Sequence, residues 1–190
     1  MAPHAKKGLK MGAKLGFWDE SGISDRPTVR RSWAPKGKTP VIRSTGSWKT
    51  YALVGVLTCT PRGGNPKAYL RMFSRSVHAD EVIQSIKHLR RHVRGKLILL
   101  WDGLAAHRAK VTEAFLKTQR HWLTVRRLPP YAPELNPVEY GWSSGKRREL
   151  ANFSPDRKEA MRKQVRKCAR RFQRHPETLK GFLRASGLFT

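Results

Sequence analysis

The sequence predicts an α/β fold, a mixed sheet with helices packed on it, and two observations carry that prediction. Apolar, β-branched runs joined by turn signals occupy the first third of the chain. From Asp80 onward, helical and strand-like patterns alternate. A meander feeding alternating α and β elements closes into one layered domain. At 190 residues the chain can bury a core of useful size, and it shows no internal repeat.

Taken in order, residues 1–14 are basic and read as a poorly ordered lead-in, the tail of a missing N-terminal region. Residues 15–19 form a short apolar run ending in Asp19 and Glu20, a strand. Residues 30–33 and 39–42 flank the turn signal from Pro35 to Lys38 and read as a hairpin. Residues 51–58 are β-branched and apolar, a central strand, and 68–73 form another after the Gly63–Pro66 turn. Val82, Ile86, Leu89 and Val93 recur at helical spacing between Asp80 and Arg94, and Gly95 stops that helix. Residues 96–101, Lys96 followed by five apolar side chains, read as a strand buried on both faces. A helix at 111–119, a strand at 122–128 and a helix at 139–150 follow. Ser154, Pro155 and Asp156 supply an N-cap, a proline at the first helical position and a first-turn acid. They start a helix that runs to about Arg174, with Met161, Val165, Cys168 and Phe172 as its apolar stripe.

Charge is the outlier: 40 Lys and Arg against 13 Asp and Glu give +27. Such an excess favours a polyanionic partner, nucleic acid above all. It also fits a basic ribosomal or chromatin-type structural protein. Cys59 and Cys168 have neither metal-ligand spacing nor a disulfide-rich context and read as reduced, buried thiols. No secretory signal is visible, and the longest apolar runs are too short to span a bilayer. The expected location is cytoplasmic and nucleoid-associated, away from membranes.

Against this basic background three acids stand out. Asp102 follows the buried run 96–101, where a carboxylate is costly unless paired or ligated. It equally suits a cap for the turn at Gly103. Asp19 ends the first strand beside Glu20, so either can be the functional acid or a solvated strand end. The stretch from Leu128 to Trp142 spends four prolines on one loop and then opens a helix with Glu139 in its first turn. Asn136 and Glu139 also fit a capping box, which would employ Glu139 at its own helix terminus. Phosphodiester chemistry needs negative charge stabilised on the entering and leaving oxygens, and two divalent ions held by a few carboxylates do this. Adjacent strand ends and a helix start suffice to gather such ligands.

Four segments then form a pattern: Phe17 to Gly22, Arg31 to Pro40, Leu100 to His107, and Leu128 to Trp142. In this order and spacing the chain resembles the catalytic region of bacterial insertion-sequence transposases of the mariner-type superfamily, the DDE endonucleases, from about Lys6 to Phe153. The resemblance implies a ribonuclease H-like fold, with a mixed five-stranded sheet and helices on both faces. It divides the chain into the lead-in 1–14, a DDE catalytic domain 15–153 and a basic helical extension 154–190 packed on it. Its three acids fall on Asp19, Asp102 and Glu139, and the 36 residues between the last two suit that family's interval. As metal ligands these three would hold Mg²⁺ or Mn²⁺, two ions in all. Water and then a DNA 3′-hydroxyl would attack in line, giving cleavage and strand transfer. Transposon ends and target DNA are the implied partners, with a homodimer as the active form. Relatives carry helix-turn-helix modules ahead of this region, for which the chain has no room. A fragment, half of a split frame, or a catalytically inactive DNA-binding remnant is therefore expected.

The sequence departs from relatives at Gly103, where Asn is frequent, and at Gly141 and Gly145, which suggest a looser helix. His107 either reaches the site or a phosphate, or simply packs at a helix start. Arg30, Arg31, Lys36 and Lys38 cluster on the expected hairpin, gripping DNA or forming a solvated face. Nine Lys or Arg between Arg157 and Arg174 oppose one Glu. Arg162, Lys163, Arg166 and Arg170 there are expected to touch phosphates, contacts that position DNA without reading its sequence. Trp33, Trp48, Trp101 and Trp142 read as core.

Overall fold

Apolar side chains on alternate faces make β1 (Lys14–Ser24) the hub of the sheet. A computed structural model of the chain describes residues 3–44, 49–129 and 132–189. β1 pairs antiparallel with β2 (Thr50–Cys59) and parallel with β4 (Leu97–Trp101). β3 (Lys67–Phe73) pairs antiparallel with β2, and β5 (Leu123–Arg127) parallel with β4. The order is β3-β2-β1-β4-β5, a mixed five-stranded sheet.

The strand period of two sorts the core into two layers. Leu15, Phe17, Leu53, Leu57, Ile98 and Leu100 face one way, and Trp18, Val54, Val56, Leu97, Leu99 and Trp101 the other. On the first face lie α5 (Pro137–Arg148), α6 (Lys158–Arg174) and α7 (Pro176–Ala185), contributing Trp142, Met161, Phe172 and Leu179. On the second lies α2 (Ala79–His92) with Val82, Ile86 and Leu89. The short α3 (Ala105–Arg108) and α4 (Lys110–Thr118) follow β4. With helices on both faces, this is the mixed five-stranded sheet that the resemblance implies. No helix among the described residues is long and apolar enough to cross a membrane.

Several expectations change. β1 does not stop at Asp19; its partner β2 pairs it through Ser24. The hairpin at 30–42 does not form. Its turn does, with Lys38 N donating to Pro35 O and Gly37 at φ 78°, but the flanks carry no ladder. Pro27, Pro35 and Pro40 remove donors there, and the flanking side chains find no apolar layer to cover. Trp33 is consequently fully exposed rather than core, whereas Trp101 and Trp142 are buried; Trp48 lies outside the described residues. The lead-in contains α1 (Pro3–Met11), whose end closes with Ala13 N donating to Gly8 O. α6 begins at Lys158 rather than Pro155, with Arg157 at the N-cap. Pro155 is buried, which draws the preceding segment inward before the helix starts. α7, beyond the predicted elements, packs Leu179 and Leu183 into the core.

Gly145 has a packing role in α5. A Cβ there would stand 3.1 Å from Cys168 Sγ, so the missing side chain lets α6 close onto α5. The joint is sealed by Arg171, whose Nε and Nη2 donate to Glu149 at 2.6 and 3.0 Å. Both cysteines are free and buried, and burial pushes their thiols up to about 12.

Candidate active site

The parallel β1–β4 ladder ends at Phe17 and Leu100, yet β1 runs on for seven residues. Extending the register by two places sets Asp19 beside Asp102. The gap opened past the end of β4 is a cleft of about 470 Å³. Asp19, Asp102 and Glu139 all line it, with Gly103, Arg127 and Asn136. The structure thus brings the three sequence-predicted acids to one cavity. Two members of the proline loop, Pro130 and Tyr131, lie outside the described residues.

Strand alternation separates Asp19 from Glu20. Asp19 points to the α5 side, where Trp142 Nε1 donates to its Oδ2 at 2.8 Å. Glu20 points to the opposite layer, where its Oε1 accepts from Trp18 Nε1 at 2.6 Å and lies 2.9 Å from His107 Nε2. Only Asp19 of the two borders the cleft.

The approach of Trp142 depends on a glycine. Gly55 is the β2 partner of Asp19, and a Cβ there would lie 2.6 Å from two ring carbons of Trp142. No side chain fits between. The same helix is hooked onto β1 at its start, where Asn136 Nδ2 donates to Trp18 O at 3.0 Å. Asn136 Oδ1 caps the helix by accepting from Val138 N. The reciprocal half of a capping box is absent among the described residues: Asn136 N donates to Pro133 O, leaving the Glu139 carboxylate to face the cleft. Glu139 and Trp142, three apart, share one helix face.

Asp102 plays both of its predicted parts. Its Oδ1 accepts from Leu104 N at 3.1 Å, capping the turn, while the residue also borders the cleft. His107 Nδ1 lies 3.0 Å from the same oxygen. Glu20, Asp102 and His107 each bring a ligand atom within 4.8 Å of the others.

Electrostatics divide these groups. Burial pushes the Asp19 carboxyl from 3.8 up to about 7, and the charges of Glu139, Glu20 and Asp102 add to the rise against the Trp142 hydrogen bond. For His107 burial works downward, but hydrogen bonds to Asp102 and Glu20 and their charges outweigh it and lift the imidazole to about 9. It is an imidazolium at neutral pH, donating to both acids. Burial alone would raise Asp102, yet the bonds from His107 and Leu104 hold it below the ordinary carboxylate range.

The donor set fits a hard divalent cation. Asp19, Asp102 and Glu139 border one cleft, although among the described residues the group whose ligand atoms lie within 4.8 Å of one another is Glu20, Asp102 and His107. Positive charge in the cleft would favour the ionised form of Asp19. All-oxygen ligation of this kind suits Mg²⁺ or Mn²⁺.

A family model described as DDE superfamily endonuclease matches residues 14–162. The chain belongs to the DDE superfamily of endonucleases. No curated protein matches this DDE endonuclease. Among solved structures it is similar to the Mos1 transposase paired-end complex with left transposon end, at 18% identity and TM-score 0.60. That match covers 98% of this chain and 60% of the other. The Mos1 mariner paired end complex with Mn gives 19% identity, TM-score 0.61 and coverage of 97% and 59%. The catalytic domain of Mos1 mariner transposase gives 17%, 0.55, and coverage of 98% and 90%. The DDE endonuclease shares the fold of that catalytic domain and spans about 60% of the length of the first of these transposase chains.

The basic candidates lie elsewhere. Arg30, Arg31, Lys36 and Lys38 are exposed on the irregular connection between β1 and β2. It is pinned where Arg30 N donates to Asn152 Oδ1 at 2.7 Å and Asn152 Nδ2 donates back to Arg30 O. Arg162, Lys163, Arg166 and Arg170 are exposed on α6, opposite its buried stripe. Neither group lines the cleft; among the described residues the cation that does is Arg127, at the end of β5. Sequence reasoning passed over Arg127, Gly55 and the Trp142 hydrogen bond. Period-two alternation was the available signal for separating Asp19 from Glu20.

Proposed function

We propose that this chain is the catalytic domain of a transposase, cutting DNA at transposon ends and joining the freed 3′-hydroxyl to target DNA. The observation that carries the reading is the convergence of Asp19, Asp102 and Glu139 on one cleft, with Asp19 held up to about 7 by burial and its neighbours. These three are the metal ligands we assign, for two Mg²⁺ or Mn²⁺ ions. Bound there, the ions would activate the attacking oxygen and offset charge on the leaving one.

The protein's own groups do the rest. Trp142 holds Asp19 Oδ2 in place, the Asn136 hook fixes α5 against β1, and Pro129 and Pro133 restrict the backbone of the loop that lines the cleft. Arg127 stands where it can meet a phosphate of the substrate. The arm at 25–44 and the outer face of α6 supply phosphate contacts that hold the duplex. The catalytic unit is residues 15–153, with 154–190 packed on it, and the active form is a homodimer.

The test is nicking of supercoiled plasmid by the purified chain with Mn²⁺ or Mg²⁺. The reading expects metal-dependent nicks that Asp102→Ala abolishes and EDTA stops. Equal products from both proteins would leave a DNA-binding remnant without turnover, the alternative reading.

A further inference from the structure

We propose that His107 is a positioning residue that locks Asp102 toward the cleft by bridging it to Glu20. The inference rests on the endonuclease reading and assigns a residue that supports it.

The imidazole is held on every side. Its side chain is 1% exposed, and its ring lies parallel on Trp101, centroids 4.0 Å apart and planes 2° off. Trp18 meets the ring edge-on at 6.1 Å, and the two tryptophans meet each other edge-on at 5.9 Å. The stack fixes the plane of the ring, and the two acids fix its rotation within that plane. Nδ1 takes Asp102 Oδ1 at 3.0 Å and Nε2 takes Glu20 Oε1 at 2.9 Å.

The bridge sits where the sheet offers none. β1 and β4 are joined by backbone bonds only as far as Phe17 and Leu100, so Glu20 and Asp102 lie beyond the ladder. His107 joins them again through side chains. With Oδ1 of Asp102 taken by His107 and Leu104, Oδ2 is left for the cleft. Without the imidazole, a half-exposed aspartate on a loop would keep only the Leu104 amide and recover its rotamer freedom. Glu20, turned away from the cleft, then has a purpose: it anchors the far end of the ring.

Both ring nitrogens are occupied by acids, which is why a supporting partner fits His107 better than a ligand. Outer partners of this kind change metal affinity by about 10–100-fold when removed.

The experiment compares the wild-type chain with His107→Phe, which keeps the stack on Trp101 and loses both hydrogen bonds, and with His107→Gln, which restores one donor. Mn²⁺ binding is read from the EPR signal of free Mn²⁺, folding from thermal melts, and nicking as a function of Mn²⁺ concentration. Expected are Mn²⁺ binding weakened about 10–100-fold in His107→Phe, partial recovery in His107→Gln, and nicking that returns at high Mn²⁺. Should the Phe variant fail to fold, the Gln variant alone must still weaken Mn²⁺ binding. Unchanged binding in a folded variant overturns the proposal and leaves the endonuclease reading intact. A strong imidazole nitrogen coupling to bound Mn²⁺ in the wild type also overturns it, by making His107 a ligand. Absence of any Mn²⁺ binding by the wild type sinks both.

Discussion

The acidic cleft and the basic arm at residues 25–44 are built in opposite ways. The cleft gathers a few carboxylates at the end of a buried sheet, with Asp19 tied to Trp142 and Asp102 to Leu104 and His107. The arm spreads Arg30, Arg31, Lys36 and Lys38 along an irregular, exposed connection fastened at Asn152. Carboxylates brought together repel and lose hydration, so only a rigid fold can hold them. Lysines and arginines facing a polyanion act through solvent and need only be near. The same chain therefore invests its secondary structure in its negative charges and leaves many of its positive ones on loops and helix exteriors.

Substitutions can break or sharpen that contrast. The largest effect is expected at the cleft: Asp19→Ala or Asp102→Ala should reduce metal-dependent nicking to background in a plasmid assay while the protein still binds DNA. A variant that retained activity would show that the acids are not organised as described. Next comes Gly55→Ala, which pushes the Trp142 ring away from Asp19. Overpacking of this kind costs about 1–3 kcal/mol, and the melt should show that loss together with reduced nicking.

A third prediction uses pH. Asp19 must release its proton to bind a cation, so Mn²⁺ affinity should rise about tenfold per pH unit below 7 and level off above. In metal-free protein, Asp19 at about 7 against 3.8 and His107 at about 9 against 6.5 both leave the native state holding more protons than the unfolded one. The stability they contribute is complete below the ordinary values and is lost as pH rises through about 7 and about 9. Melts in EDTA should give a lower Tm at about pH 8.5 than at about pH 6, and added Mn²⁺ should narrow the gap.

The smallest effects belong to the arm. Arg30→Ala with Arg31→Ala should leave stability within about 0.5 kcal/mol. DNA affinity should fall, and its salt slope should drop by about one for each phosphate no longer neutralised, measured by fluorescence anisotropy across salt concentrations. A large loss of stability instead would make the arm a structural element.

Sheet and helices were legible wherever a period was clear. Residues 51–58 and 96–101 read as strands from short apolar runs bounded by turn signals, and Val82, Ile86 and Leu89 as a helix face from their spacing. The expected hairpin failed because turn chemistry at Lys36 and Gly37 says nothing about whether the flanks have a layer to cover. Pro176 followed by Leu179, Phe182 and Leu183 carries a helix signal that went unread. At the cleft, each acid was visible as an anomaly in its own segment, but their supports were not. Gly55 looks like any glycine in a strand until Trp142 lies across it from 87 positions away. His107 looks like a helix-start histidine until Glu20 arrives from the far end of β1.

The hooks from Asn136 to Trp18 and from Trp142 to Asp19 join positions 118 and 123 apart in sequence. A ribosome delivers Asp19 and Asp102 before it delivers Glu139, so a growing polypeptide holds two of the acids before the third. The cleft is therefore completed only when α5 docks onto β1. On the proposed reading, a copy that ends before this helix would lack the third metal ligand.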